Sequence, residues 1–531
     1  MAAHDLFTHG VGSFDPTDSS VLLWTRVVGT ARVGWRVASE TDGVPVAAGD
    51  VEVPEGADGC VAVEVADLDP ATTYRYWFEV DDQRSPVGRT RTLPASGQDP
   101  FRIAVVCCAD YSQGHFAAYR AVAEADVDLV LHVGDYIYET AGHGDIRDVQ
   151  PDRTLVTLDD YRARHAQTRS DPNLRALHER HPMVAIWDDH DIADNAWRHG
   201  AKGHDPDEHG PWEERLAVAT RAWLEWLPVR RRDPGEPLAI WRSLEVGDLA
   251  ELVMVDTRIA GRDEHPDHEG TRPIGDPERS LLGDAQRAWA HERVRDAARP
   301  WCLFVTAVVL NRMRLPVPGG ELLSDAAPSG YDIIDGEAMC TDEWDGYPAE
   351  REKLVAAFAD RGRGAVVLAG DIHSSWAFEG PCVGDGTPVA VELVAPCVSS
   401  TPMAGHLPPG WQALADKLAE MVPQARWFDL EHHGFLVLDI RADQLRGDWF
   451  TVHPEDPEAR AERAAAWLHR LDNPGRLDPA GPMGQPAPAV RGRPTAEVPR
   501  ARSRRKRWTA AALAATGAAF AGVRVLRRRR G

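Results

Sequence analysis

Three apolar runs in the sequence end in clusters of acidic residues. The runs are HVGDYIYE (132–139), AIWDDHDIADN (185–195) and LAGDIHSS (368–375). In open α/β sheets, ligands lie beyond the carboxyl ends of the strands, so we expect these acids to converge on one rim. The acids are Asp135, Asp188, Asp189 and Asp371. Because converging carboxylates repel one another, a cation must lie between them, and a hard cation with oxygen ligands fits best.

Other ligand types lie next to these acids. His373 follows Asp371 by two residues, which puts both side chains on one face of an extended segment. Asn195 adds a neutral oxygen, and Cys108 ends the apolar run FRIAVVCC, where a thiolate could meet a metal. Cys107 points to the opposite face and is interpreted as a small buried hydrophobe. A single Gly-Asp after a strand is commonly a turn or a helix cap, but the joint pattern predicts a metal site.

The elements that must position these residues change character along the chain. Residues 1–97 alternate as in strands and predict a small fibronectin- or immunoglobulin-like β-sandwich, with Tyr74 placed as in a tyrosine corner. Residues 98–455 alternate buried strands with helices, which predicts βαβ units and an α/β sandwich. We expect a helical end and a disordered Pro-rich linker at 456–503, and a basic Ala-rich tail at 504–531.

Charge and cysteine content narrow the classes of function. The 531 residues carry a net charge of −24, and residues 501–531 hold ten of the 59 basic residues and no acidic one, so the rest of the chain is more acidic still and nucleic acid is not expected as the main partner. The seven cysteines form no CxxC motif, which argues against a disulfide scaffold or structural zinc. No export signal is visible at the N-terminus, so we expect a cytoplasmic protein or one associated with membranes through its tail. The tail is compatible with spanning a bilayer, lying on it or remaining disordered.

From about residue 5 to 455 the sequence resembles the alkaline phosphatase D-like (PhoD-like) metallophosphatases, a branch of the calcineurin-type metallophosphoesterases. The shared motifs are HGVGSFDPTDSSVLLWTRV, CADYSQGHFAAYR, GDYIYE, WDDHDIADNAW, WLPVR, DTR (256–258), DEWDGYPAER (342–351), GDIHSSWA and VELVAPCVSSTP. The first-strand motif departs from the family's usual Cys-Gln-Asn, because it reads Cys-Ala-Asp (108–110). The resemblance implies a metal-dependent phosphatase with a metallophosphatase-like α/β sandwich.

The resemblance also implies a centre with ferric iron and calcium ions. Cys108, Tyr138 and His373 would be iron ligands, and Asp135 would bridge the metals. The remaining ligands, Asp189, Asn195 and Asp371, would face calcium. Sulfur, phenolate and imidazole suit iron, and oxygen ligands suit calcium.

The expected reaction is hydrolysis of a small phosphoester or a phospholipid by metal-activated water. His190 is a candidate catalytic residue that would contact the phosphate or protonate the leaving oxygen. Its alternative role is to orient Asp189, the second candidate catalytic residue. Arg198 and Arg351 are candidate phosphate clamps. The sequence leaves open whether His432 and His433 reach the rim.

Two other functions remain open at this point. One is a phosphodiesterase or phospholipase D-like activity on lipids, which would use the same metals. The other is a non-catalytic calcium-stabilised binding module. The sulfur, phenolate and imidazole ligands argue against the module, because structural calcium needs none of them.

Overall fold

The computed structural model describes most of the chain up to residue 481. The described residues are 6–97, 100–142, 144, 146–232, 238–265, 271–313, 315–316, 331–334, 337–407, 420 and 422–481. Two large mixed β-sheets carry the fold and position the strand ends that bear the predicted ligands.

The N-terminal region is all β, as its sequence predicts. Its strands are β1 (Val11–Phe14), β2 (Val21–Arg26), β3 (Arg32–Ser39), β4 (Pro45–Glu52), β5 (Cys60–Val65), β6 (Thr73–Val80), β7 (Gln83–Arg84) and β8 (Gly88–Arg91). Buried side chains such as Leu23, Val37 and Phe78 form the core between the sheet of β1, β2 and β5 and the sheet of β3, β4 and β6. Tyr74 makes the contact expected of a tyrosine corner, since its hydroxyl accepts the Asp69 N–H at 2.9 Å.

Strands and helices alternate after residue 100. They are β9 (Phe101–Val106), α1 (Ala117–Glu124), β10 (Leu129–His132), α2 (Leu158–Ser170), α3 (Pro172–Arg180), β11 (Met183–Ala185), β12 (Ala196–Trp197), β13 (Gly200–Ala201), α4 (Pro206–His209), α5 (Trp212–Trp226), β14 (Arg242–Val246), β15 (Ala250–Met254), α6 (Asp284–Arg295), β16 (Trp301–Val305), β17 (Leu315–Pro316), β18 (Tyr331–Ile334), β19 (Glu337–Cys340), α7 (Pro348–Arg361), β20 (Ala365–Ala369), β21 (Ser375–Glu379), β22 (Val391–Val394), β23 (Ala425–Asp429), β24 (His433–Ile440), β25 (Gln444–Val452), β26 (Glu462–Arg470) and β27 (Asp478–Pro479). Short 3-10 turns lie at Asp189–Asp191, Trp344–Gly346 and Met403–Gly405.

The first large sheet has the order β27-β26-β25-β24-β9-β10-β11-β1-β2-β5. Its centre is parallel, because β10 pairs with β9 and with β11 in the same direction. The carboxyl ends of these three strands therefore lie at one edge, where the chain continues into Cys108, Asp135 and Asp189. β1 also joins this sheet, pairing parallel to β11 with Phe14 opposite Met183. Hydrogen bonding thus crosses the predicted domain boundary at residues 97 and 98, and that boundary stays a prediction.

The second large sheet has the order β14-β15-β16-β20-β22-β21-β23. Strands β15, β16, β20 and β22 are parallel, so the loop after β20 carries Asp371 to the same end as the loops after β15 and β16. Val105 and Leu131 of the first sheet share one buried core with Leu252, Leu303 and Leu368 of the second. The other side of the second sheet packs on α6 and α7.

The predicted helical end at 456–503 is wrong for the part that the structure describes. Residues 462–470 form β26, which pairs antiparallel with β25 and extends the first sheet. The sequence ERAAAWLHR has good local helix formers, but its backbone satisfies its hydrogen bonds on the open edge of β25. The side chains of Ala466, Trp467 and His469 are buried there.

The predicted linker and tail fall almost wholly outside the described part of the chain. Residues 482–531 are not described, so the proposed membrane association stays a prediction. Within the described ranges, no helix has the length and apolar character that crossing a bilayer requires. All seven cysteines lie in the described ranges and are unpaired there.

Candidate metal centre

The predicted ligands meet where the two sheets face each other. Ligand atoms of Cys108, Asp135 and His373 lie within 4.8 Å of one another. The same limit holds for the group of Asp135, Asp189 and His190 and for the group of Asp188, Asp189 and Asp371. Because the three groups share members, they form one continuous cluster that joins the ends of β9, β10, β11 and β20.

The sulfur and nitrogen side of the cluster is built around Tyr138. Its hydroxyl lies 3.0 Å from Asp135 Oδ2 and 3.0 Å from His373 Nε2. His373 Nδ1 donates to the Thr401 carbonyl at 2.9 Å, which fixes the ring and leaves Nε2 for the centre. A thiol, a phenol, an imidazole and a carboxyl group therefore converge here, and this donor set fits iron.

The backbone is strained at the predicted ligands. Five of them have φ in the left-handed region, which side chains other than glycine rarely adopt. They are Cys108 (55°), Asp135 (54°), Asn195 (50°), Asp371 (63°) and His373 (48°). Each such residue costs on the order of 1–3 kcal/mol and persists where the surroundings hold it, a pattern that clusters at functional sites. The strain indicates that the fold positions these side chains for a purpose other than packing.

The two adjacent cysteines have different surroundings. Cys107 Sγ lies 3.5 Å from the Pro396 carbonyl and is buried in the core. Cys108 Sγ faces Asp135 and His373. Burial raises the pKa of the Cys108 thiol well above its ordinary value, and nearby acids raise it further. A bound cation would lower the pKa again and hold the thiolate. Because the sulfur of Cys108, and not that of Cys107, groups with Asp135 and His373, Cys108 is the cysteine that lies at the centre.

The oxygen side of the cluster contains buried carboxylate oxygens without donors. Within the described ranges, no hydrogen-bond partner meets Asp188 Oδ2 or Asp189 Oδ1, and Arg258 Nη2 lies 3.4 Å from the latter. Asp189 Oδ2 accepts the Asn195 N–H at 2.6 Å, which ties the Asn195 turn to this rim. Buried carboxylates without donors are unfavourable unless a cation satisfies them. The oxygen ligands predicted for calcium therefore fit a hard cation.

Arg258 is a member of the cluster to which sequence reasoning gave no role. Its side chain is 0% exposed and contacts four carboxylates. Nε pairs with Asp188, Nη1 lies 2.8 and 2.7 Å from the oxygens of Asp342, and Nη2 lies 2.8 Å from Asp371. Burial lowers the pKa of Arg258, but these carboxylates together raise it well above its ordinary value. Arg258 is therefore a fixed positive charge inside the acidic cluster.

Asp342 and Glu343 also lie at the centre, although the sequence analysis gave them no role. Their ligand atoms lie within 4.8 Å of those of Asp371. They follow β19 and precede a 3-10 turn, so no long apolar run marks them as a strand end. The adjacent acids in the motif DEWDGYPAER were the one available signal.

His190 lies at the edge of the centre, with a side chain that is 21% exposed. Its ring stacks on Tyr138 with centroids 4.3 Å apart, and Nδ1 donates to Glu139 Oε2 at 2.8 Å. Burial lowers the pKa of His190, but the charges of Asp189, Glu139 and Asp135 together raise it well above its ordinary value. The hydrogen bond to Glu139 orients the ring and leaves Nε2 free of that contact.

Asp191 holds the loops of the centre in place. Its carboxylate accepts four backbone N–H groups, from Asp135, Tyr136 and Asp188 at 3.0 Å and from Ile137 at 3.3 Å. It therefore ties the turn after β10 to the turn after β11, and its side chain is fully buried.

The two arginines predicted as phosphate clamps differ. Arg198 is 41% exposed and pairs with Asp263. Arg351 is buried on α7 and donates to the Leu310 carbonyl at 2.6 Å, so it fixes the chain after β16. The structure thus places Arg351 in packing, which argues against the predicted clamp role.

His432 and His433, whose position relative to the rim the sequence leaves open, have different hydrogen-bond partners. His433 Nε2 donates to the Ser400 carbonyl at 2.9 Å. Ser400 Oγ in turn lies 2.7 Å from the Tyr138 hydroxyl. His433 therefore contacts Ser400, which contacts the predicted iron ligand Tyr138. His432 pairs with Asp429 at 2.9 Å.

Comparison with known proteins agrees with this geometry. A family model described as PhoD-like phosphatase matches residues 103–449, and one described as its N-terminal domain matches residues 1–94. Alkaline phosphatase D of Bacillus subtilis (strain 168) is 29% identical over 498 residues, covering 88% of this chain and 82% of that protein. A solved structure described as PhoD has a TM-score of 0.78 at 27% identity, covering 91% of this chain and 93% of that one. The chain therefore belongs to the PhoD-like phosphatase family.

Proposed function

We propose that this metal-dependent phosphoester hydrolase uses a centre of ferric iron and calcium ions. The iron ligands would be Cys108, Tyr138, His373 and the bridging Asp135. The calcium ligands would be Asp189, Asn195 and Asp371. The observation that carries the proposal is the meeting of thiol, phenol, imidazole and carboxylate donors on strained backbone. We also infer that the two facing sheets form a metallophosphatase-like α/β sandwich.

Bound cations would lower the pKa of a coordinated water and neutralise charge on the phosphoryl oxygens. The residues of this chain then have separate tasks. Asp135 lies between the proposed iron ligands and the turn after β11. The Tyr138 hydroxyl donates to its Oδ2 at 3.0 Å, and the backbone N–H of His190 donates to its Oδ1 at 3.2 Å. Arg258 offsets the charge of Asp188 and Asp371 within the centre. Asp189 offers to the same rim its Oδ1, which accepts no hydrogen bond from the described residues.

His190 is the proposed proton donor or phosphate contact. Its Nδ1 proton is held by Glu139, so only Nε2 can face a bound substrate. The stacking on Tyr138 keeps the ring beside the predicted iron ligand. The sequence reasoning left open whether His190 orients Asp189, and its bond to Glu139 instead favours the direct role.

The substrate class follows from the same site. A phosphomonoester and a phosphodiester require the same attack on phosphorus, so both are proposed substrates, and a phospholipid is one possible diester. Arg198, exposed in the turn between β12 and β13, remains a proposed clamp for a phosphoryl oxygen.

A substrate panel with metal control tests this function. Purified protein would be assayed with para-nitrophenyl phosphate and with bis-para-nitrophenyl phosphate, after treatment with a calcium chelator and after calcium is returned. We expect hydrolysis to fall on chelation and to return with calcium. Hydrolysis of either ester that survives removal of all bound metal would contradict the proposal.

A further inference from the structure

Glu343 has a carboxylate that the fold buries without fully satisfying. The residue is 2% exposed. Its Oε2 accepts the backbone N–H of Val309. Its Oε1 has no hydrogen-bond partner among the residues that the structure describes. A buried carboxylate oxygen left in this state is unfavourable unless a proton or a cation meets it.

The neighbours of Glu343 show where such a cation would lie. The ligand atoms of Asp342, Glu343 and Asp371 lie within 4.8 Å of one another. Asp342 is already occupied, because Arg258, Arg262 and His265 all contact its carboxylate. The acceptors still available are those of Glu343 and Asp371.

Asp371 belongs to two groups at once. In one group a ligand atom of Asp371 lies within 4.8 Å of those of Asp188 and Asp189, and in the other it lies within 4.8 Å of those of Asp342 and Glu343. Arg258 contacts only one oxygen of Asp371, at 2.8 Å. The guanidinium of Arg258 is thus surrounded by carboxylates, of which Asp188 Oδ2 and Asp189 Oδ1, like Glu343 Oε1, accept no hydrogen bond from the described residues.

We propose that Glu343 is a further calcium ligand, which binds an ion together with Asp371. The inference rests on the proposed calcium content of the centre and adds a ligand to it. A hard divalent cation with carboxylate ligands suits this position, because it offers oxygen and neither sulfur nor nitrogen. The competing explanation is a proton shared between the two carboxyl groups.

A second buried glutamate supplies a matched control. Glu392 accepts the backbone N–H groups of Leu310 and Asn311, each at 2.7 Å, so it supports the same loop as Glu343. Its Oε2 also accepts the Asn311 side chain at 2.7 Å, and neither of its oxygens is without a partner. Glu343→Gln and Glu392→Gln therefore disturb the same loop, and only the first changes the proposed ligand set.

The test is calcium binding by isothermal titration calorimetry, with iron content measured on the same samples. We expect Glu343→Gln to keep its iron and to lose one calcium equivalent or to bind calcium about tenfold more weakly. Glu392→Gln should bind calcium like the wild type. Glu343→Asp, which keeps the charge and shortens the reach, should weaken calcium binding as well.

Two results would distinguish a failure of the proposed role of Glu343 from a failure of the proposed calcium content. Unchanged calcium number and affinity in Glu343→Gln, with a calcium-dependent wild type, would overturn the role of Glu343 alone and leave the shared proton. A wild type that binds no calcium would overturn the calcium part of the proposed function together with this inference.

Discussion

Replacing Arg258 by methionine should destabilise the protein most when calcium is absent. The change removes a fully buried cation that pairs with Asp188 and Asp371, while Asp342 keeps Arg262 and His265. Removing one partner of a buried ion pair typically costs about 3–5 kcal/mol, because the other charge is left without compensation. We therefore expect the free energy of unfolding to fall by about that amount in a chelator.

Calcium should reduce this loss. Without the guanidinium, the carboxylates can offer their oxygens to the cation, and calcium binding to the folded state then adds more stability than in the wild type. If binding becomes about tenfold tighter, the destabilisation shrinks by about 1.4 kcal/mol.

The assay is unfolding by urea, followed by circular dichroism, in chelator and in saturating calcium. Arg242→Met is the control, because Arg242 of β14 forms a buried pair at 2.7 Å with Asp15 of the N-terminal region. The free energy of unfolding that Arg242→Met loses should be the same in chelator and in saturating calcium. Equal destabilisation of Arg258→Met with and without calcium, or a loss of unfolding free energy in chelator below about 1 kcal/mol, would contradict the proposed charge balance between Arg258 and calcium.

Three further outcomes are expected. Cys108→Ser should lose iron and most activity, whereas Cys107→Ser should mainly lower stability, and equal iron loss in both would contradict the assignment. Tyr138→Phe should remove the phenolate part of the ligand-to-metal charge-transfer absorption and leave the part due to the Cys108 thiolate, and an unchanged visible spectrum would exclude Tyr138 as a ligand. A chain truncated near residue 495 should lose flotation with anionic liposomes and keep its turnover, because we propose that residues 504–531 bind membranes. Equal recovery of both chains in the soluble fraction would contradict this.

The sequence predicts much of the centre because strand ends obey a general rule. Cys108, Asp135, Asp189 and Asp371 each follow an apolar run, and parallel strands bring such ends to one edge. The structure brings these four residues together with His373. Their roles as ligands remain predictions.

Other features depend on contacts that no local pattern carries. Arg258 meets Asp188 across 70 residues and Asp342 across 84, so only the folded chain shows that this arginine is buried among acids. Strand β26 has an alanine-rich sequence, but pairing with β25 overrides its helix propensity. Arg351 was predicted as a clamp from its charge, and the burial of α7 turns it inward.

The most direct test of the centre is Asp135→Ala, with iron, calcium and hydrolysis measured on one preparation. Asp135 is the carboxylate whose ligand atoms group both with Cys108 and with Asp189. Asp439→Asn is the control, because Asp439 pairs with Arg102 at 3.1 Å on strands β9 and β24 of the first sheet. We expect Asp135→Ala to fold, to lose bound metal and to lose hydrolysis, while the control folds and keeps both its metal and its hydrolysis. Wild-type metal content and activity in Asp135→Ala would contradict this expectation.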